Sequence, residues 1–149
     1  MMNQRNQGNQ GNQGIAINVA AAAISRCDVN GNKEYFTAQR NHGELKGLYE
    51  FPGGKIEEGE TPEDAIKREI REELKAEIAI NDSIGIIDYD YTNFHLHMQV
   101  FECHLITDSI TLTEHKDAKW ISASEFDRIA FAPADAIVAD VICKKELVR

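Results

Sequence analysis

The 149 residues suit one domain, and 42% hydrophobic residues are enough to build a core. A formal net charge of −9 argues against a protein that coats a nucleic-acid polymer, whose phosphates need a basic surface. It leaves a nucleotide substrate open, because bound divalent cations reverse the local sign of the field.

Residues 1–14, MMNQRNQGNQGNQG, repeat Asn, Gln and Gly and offer nothing to bury. This composition predicts a flexible tail, with the domain over residues 15–149. IAINVAAAAIS (15–25) reads as a strand, DVNGNKE (28–34) as a turn with an Asn-Gly signal, and EYFTAQR (34–40) as the returning strand of a hairpin. Leu48–Phe51 is a short apolar run, and Gly53-Gly54 reads as a turn. Thr61 to about Leu74 predicts a helix: Thr61 suits the N-cap, Pro62 the first helical position, and Glu63 and Asp64 the positive end of the dipole. IGIIDYDYT (84–92) and FHLHMQVFECHL (94–105) predict two long strands joined near Asn93. AKWIS (118–122) predicts another strand, and SASEFDRI (122–129) a short helix capped by Ser122. Pro133 opens the last helix, with Ile137, Val141 and Ile142 as its apolar stripe. The sum is an α/β fold, a mixed sheet with helices packed on it.

Cys27, Cys103 and Cys143 form no CxxC pair, so neither a disulfide framework nor a zinc ribbon is indicated. No apolar run reaches about 18 residues, and the start lacks a signal-peptide pattern. The expectation is a cytoplasmic protein with no membrane partner.

Residues 51–76, FPGGKIEEGETPEDAIKREIREELKA, concentrate the chemistry. At about 100° per residue, Ile66, Ile70 and Leu74 form a stripe toward the sheet. Glu69, Glu72 and Glu73 fall in an arc beside it, with Lys67, Arg68 and Arg71 further round. Two unit charges about 5–6 Å apart repel by roughly 3 kcal/mol at an effective dielectric of 20. Either nearby basic residues relieve a solvated acidic face, or a cation does. Hard oxygen ligands without His or Cys suit Mg²⁺ or Mn²⁺. Gly53-Gly54 lets backbone approach a ligand or supply a carbonyl, and Lys55 offers a point charge to a phosphate.

The segment resembles the Nudix box, G-x5-E-x7-R-E-U-x-E-E-x-G-U, where U is a bulky aliphatic. Gly54, Glu60, Arg68, Glu69, Ile70, Glu72 and Glu73 match in register. Lys75 stands in place of a Gly, and Ala76 in place of an aliphatic. A Lys in a left-handed cap costs about 1–2 kcal/mol, so the helix is expected to end differently. FPGGK, Trp120 and APAD (132–135) extend the likeness over residues 15–147 to the MutT-type nucleotide pyrophosphohydrolases. HLH (95–97) together with APAD is most similar to the CTP pyrophosphohydrolases.

The resemblance implies a Nudix-type α/β/α sandwich with a mixed β-sheet. It implies Mg²⁺- or Mn²⁺-dependent hydrolysis of a nucleoside triphosphate to the monophosphate and pyrophosphate, with CTP or a modified (d)CTP as substrate. Sanitising of 8-oxo-dGTP-type nucleotides, action on a nucleotide sugar, and a non-catalytic nucleotide-binding module are the alternatives. By the same resemblance, Glu69, Glu72, Glu73 and the Gly53 carbonyl are metal ligands, Glu60 and Arg68 brace the loop, and Lys55 and Arg40 serve the phosphates. Glu114, six residues before Trp120, is a further acid on a mobile loop that binds metal or helps activate water. Either Glu69 or Glu114 takes the proton of the attacking water.

For the base, Phe51, Phe94, His97 and Phe131 offer stacking or edges, with core roles as the alternative. Asp135 stands where 8-oxoguanine-directed relatives carry an Asn. An ionised Asp only accepts, which suits the amino group of cytosine but also the N1–H and N2–H₂ of guanine. Its alternative role is to cap the last helix. His95 and His97 share a strand face at a spacing zinc enzymes use, but no third ligand is evident, so pocket or core positions are expected for both.

Overall fold

The structure, a computed structural model, describes residues 14–147; apart from Gly14, the tail expected over 1–14 lies outside the described residues. In chain order the elements are β1 (Ala16–Cys27), β2 (Lys33–Gln39), β3 (Tyr49–Glu50), β4 (Gly53–Lys55), α1 (Pro62–Leu74), β5 (Ile78–Asp90), β6 (His95–Leu105), β7 (Asp117–Ile121), a 3-10 helix (Ala123–Arg128) and α2 (Pro133–Leu147). Among the described residues, no helix is long and apolar enough to cross a membrane.

β1 is the spine of a seven-stranded mixed sheet. It runs parallel to β6 from Ala16 to Ile24 and antiparallel to β4 at Val19–Ala21. Its far end pairs with β2, which carries β3 and β7, while β5 closes the other side against β6. Alanine is a weak strand former, yet Ala20–Ala23 are at most 1% exposed. Burial on both faces outweighs propensity there. Ala20, Ala22 and Ile24 pack with Ile66, Ile70 and Leu74 of α1. Ala21 and Ala23 face the opposite core, with Val138 and Ile142 of α2 and Phe126 of the 3-10 helix. One helix therefore covers each face, the α/β/α sandwich expected.

The first helix begins as its sequence predicts, with Thr61 Oγ1 accepting from the Asp64 amide at 3.0 Å. Its end departs from expectation. Lys75 does adopt the left-handed conformation, φ 53° and ψ 41°, and its amide donates to the Arg71 carbonyl. Leu74 beneath it is fully buried and Ala76 is 2% exposed. Packing on both sides of Lys75 holds the cap despite the strain.

Four further expectations are corrected. Gly53-Gly54 is not a turn but the start of β4. The space explains both glycines: a Cβ on Gly53 would lie 2.1 Å from the Ala20 carbonyl oxygen, and one on Gly54 2.3 Å from the Glu69 carboxyl carbon. β5 begins at Ile78, well before Ile84, with irregularities between Ile80 and Asp82 and between Ser83 and Gly85 that break the alternation read from sequence. Residues 123–128 form a 3-10 helix in which Ser122 makes no side-chain bond to the backbone. In α2 the inward residues are Ala134, Asp135, Val138, Ala139 and Ile142, whereas Ile137 is 38% exposed. Small alanines hold the helix close to the sheet, so size misleads where spacing does not.

Because Lys75 is the one non-glycine residue at positive φ among the described residues, Lys75→Gly is expected to raise stability by about 1 kcal/mol. The urea denaturation midpoint measures it, with Lys75→Ala expected to give no gain.

Candidate active site

A cavity of about 630 Å³ opens at one end of the sheet, within the range of small-molecule sites. β1, β3, β4, β6, the β5–β6 turn, the loop before β7 and the start of α2 all contribute walls. Of the residues singled out from sequence, Arg40, Phe51, Gly53, Lys55, Glu73, Phe94, Glu114 and Asp135 line it.

The acidic face of α1 is organised by Arg68, which lies closer to the glutamates than the helical arc suggested. Its Nε and Nη2 grip Glu60 at 2.7 and 3.0 Å, and Nη2 also donates to the Lys55 carbonyl at 2.9 Å. Nη1 reaches Glu69 at 2.8 Å and Glu72 at 3.3 Å. Glu60 further accepts from the Glu57 amide. The Arg68 hydrogen bond, helped by that amide, holds the Glu60 carboxyl down at about 2.

The three helix glutamates have unlike surroundings. The Glu72 side chain is 60% exposed, that of Glu69 15%, and Glu73 is buried with Oε1 lacking any partner. Burial first, then the hydrogen bond and charge of Glu69 and the charges of Glu50 and Glu114, push Glu73 up to about 9. Among the described residues, no three acidic, histidine or cysteine side chains form a finished metal cluster. The donor chemistry nevertheless fits a hard dication: the Glu73 carboxyl has one buried oxygen without a partner, and the Glu69 carboxyl lies beside it.

Another part of the cavity is walled by apolar and aromatic groups. Phe51 is 3% exposed, and Phe94 stacks on Tyr91 with ring centroids 5.0 Å apart. Phe131 stacks on Phe51 and does not line the cavity. Asp135 is 7% exposed, and its Oδ1 accepts from the Phe51 amide at 3.0 Å. Burial, then the charge of Glu50, raise Asp135 to about 8. This direction favours the protonated carboxyl, which can donate as well as accept, over the ionised acceptor expected from sequence.

His95 and His97 belong to neither pocket nor core. Strand alternation turns Leu96 and Met98 into the cavity and leaves the histidines on the other face. There His95 bonds Asp90 and Asp88 at 2.7 and 3.0 Å, and His97 bonds Asp88 at 2.8 Å.

Among the pocket residues that escaped the sequence reading are Tyr91, Glu50 and His115. Tyr91 accepts from the Ala134 amide at the start of α2. Glu50 is bonded by Arg40 Nη1 and by His115 Nε2, each at 2.9 Å. The one available signal was adjacency, Glu50 to Phe51 and His115 to Glu114.

A sequence profile of the NUDIX domain matches residues 27–140. An 8-oxo-dGTP diphosphatase of Proteus vulgaris is 35% identical over 102 residues, 67% of this chain and 85% of its own length. A CTP pyrophosphohydrolase of Escherichia coli (strain K12) is 30% identical over 120 residues, 80% of this chain and 85% of its own. Among solved structures, the E. coli ORF135 protein has a TM-score of 0.76 at 28% identity, covering 91% of this chain and 94% of that one. The MutT protein of Methanosarcina mazei Go1, at 22% identity, shares the fold with a TM-score of 0.75 over 90% of this chain and 97% of its own.

Between the ordinary aspartate value and about 8, the native state holds a proton on Asp135 that the unfolded chain has released. Stability from this group is thus full below about 4 and falls as pH rises. Asp135→Asn keeps an acceptor for the Phe51 amide without the charge. It is expected to exceed the wild type at pH 8 by more than about 1.4 kcal/mol, the worth of one pK unit, with the gap closing toward pH 5 in urea denaturation.

Proposed function

This chain belongs to the NUDIX domain family, and we propose that, as a nucleotide diphosphatase of that family, it hydrolyses a nucleoside triphosphate to the monophosphate and pyrophosphate, with CTP or a modified (d)CTP as substrate. The observation that carries the reading is the meeting, around one cavity, of the buried partnerless Glu73 oxygen, the cations of Arg40 and Lys55 and an aromatic wall.

Glu69, Glu72, Glu73 and the Gly53 carbonyl are the groups that would hold Mg²⁺ or Mn²⁺, with Glu114 as a further ligand or base. When bound, such an ion neutralises phosphate oxygens and acidifies water. Arg40 and Lys55 hold the phosphate chain by charge. Arg68, gripping Glu60, keeps the loop and α1 in register so that the carboxylates of Glu69 and Glu72 stay oriented.

In the hydrolytic step, water oxygen attacks a phosphorus, the bond between the α- and β-phosphates breaks, and pyrophosphate leaves. Glu69 is engaged by Arg68 and Glu73. Glu114 lines the cavity and is exposed, free of such engagement by Arg68, and we assign it as the base to which the water's proton passes.

Asp135 reads the base. Its protonated carboxyl offers a donor and an acceptor, as an asparagine would, and this favours 8-oxo-dGTP as the second substrate reading. The intact box acids speak against a non-catalytic module.

Turnover of CTP, 5-substituted dCTP and 8-oxo-dGTP, with the products identified, tests the assignment. Glu72→Gln and Glu73→Gln are each expected to lose Mg²⁺-dependent kcat by about a hundredfold or more, the several kcal/mol a metal supplies at the transition state. Near-normal turnover in both removes the metal assignment. Asp135→Ala, which removes both the donor and the acceptor, is expected to change the order of preference among the three nucleotides; an unchanged order takes Asp135 out of the base pocket.

A further inference from the structure

The loop from residue 106 to residue 116 carries Glu114 and is stitched to α1 and β2. The Thr111 amide donates to the Leu74 carbonyl at 2.8 Å. Thr113 donates to the Glu73 carbonyl through its amide at 3.3 Å and its hydroxyl at 2.8 Å. The Lys116 amide donates to the Gln39 carbonyl at 3.0 Å. Glu114 itself is exposed, so its neighbours set its place.

One of those neighbours is His115. Its side chain is 6% exposed, and its ring meets Glu50 of β3, itself 18% exposed, through the 2.9 Å bond from Nε2 to Oε2. The other Glu50 oxygen receives Arg40 Nη1. A single carboxylate on the sheet thus ties together the loop bearing Glu114 and the arginine assigned to the phosphates. When Nε2 donates to the carboxylate, a neutral ring leaves Nδ1 as an acceptor, and that atom is buried with no partner. An unmet neutral acceptor costs less than an unmet charged donor.

We propose that His115 is a positioning residue that, by hydrogen bonding Glu50, fixes Glu114 at the cavity through the same carboxylate that orients Arg40. The inference rests on the nucleotide-hydrolase reading above for its kinetic consequence, but the latch is a property of the loop. Truncating the ring frees the Glu114 segment between its flanking amides and leaves Glu50 Oε2 unpaired. Displacement of a reacting group by about 1 Å is enough to cost about a hundredfold in rate.

The experiment compares wild type with His115→Ala, His115→Gln, Glu114→Gln and the double variant of Glu114→Gln with His115→Ala. Each is assayed with Mg²⁺ and CTP, and amide hydrogen exchange is followed alongside. His115→Ala is expected to lose about a hundredfold in kcat with KM changed by less than about threefold. His115→Gln, whose amide reaches Glu50, is expected to recover to within about tenfold of wild type. The double variant is expected to be no slower than Glu114→Gln alone, since both changes remove one action. Amides of Thr113 and Lys116 are expected to exchange about tenfold faster in the alanine variant, with α1 unchanged.

Unchanged exchange at those amides overturns the latch whatever the kinetics show. Losses that add in the double variant, or near-normal kcat in His115→Ala, overturn the positioning of Glu114. If wild type turns over no nucleotide, the hydrolase reading falls, and the exchange result alone decides the latch. Should His115→Ala fail to fold, His115→Asn takes its place, because its shorter amide stops short of Glu50.

Discussion

One guanidinium, that of Arg68, grips both oxygens of Glu60, bonds the Lys55 carbonyl, and reaches the carboxylates of Glu69 and Glu72. Its planar fork makes these contacts with little further ordering, because the donors are already arranged in one plane. Loop, helix and acidic face are consequently one rigid unit. Without the arginine, the Glu60 carboxylate would lose its partner and the glutamates would repel. A lysine could offer the charge but not the fork.

That unit is seated against the sheet by small residues. The missing Cβ of Gly54 makes room for the Glu69 carboxylate, and the missing Cβ of Gly53 lets β4 lie against Ala20. The alanines of β1 serve both faces at once, bringing α1 close on one side and α2 on the other. The buried acids of the cavity, Glu73 and Asp135, are held near neutral protonation by desolvation and by the company of Glu50. The site accordingly combines a carboxylate kept ionised by its arginine, Glu60, with carboxyls raised by burial and neighbouring negative charge.

What was legible from sequence was local. Thr61-Pro62 starts a helix, Ile66, Ile70 and Leu74 recur at helical spacing, and the box residues hold fixed intervals along one element. The misreadings share a different origin. Gly53-Gly54 resembles a turn until β1 is laid beside it. The inward face of α2 is made of alanines because the sheet is near, a fact outside the helix itself. His97 looked like a pocket residue until the register of β6 put Leu96 and Met98 inward. Burial by residues distant in sequence raises the Asp135 carboxyl, an effect no local pattern announces. Glu50 and His115, 65 residues apart, meet only in three dimensions, and neither has a local pattern to announce it.

The parallel pairing of β1 with β6 joins Ala16 to His95 and keeps that same offset along its length through Ile24 and Cys103. Two walls of the cavity come from these two strands, so the cavity has no existence until more than half the chain has closed into one loop. Local pieces, the β1–β2 hairpin and α1, cost little loop-closure entropy, but a hairpin or a helix of 13 residues is marginal in water until it is packed. During synthesis, the acidic helix emerges well before the strand that completes its surroundings. The nascent chain thus carries the residues of the cavity's acidic wall long before it has the cavity, which waits for β6 to pair with β1.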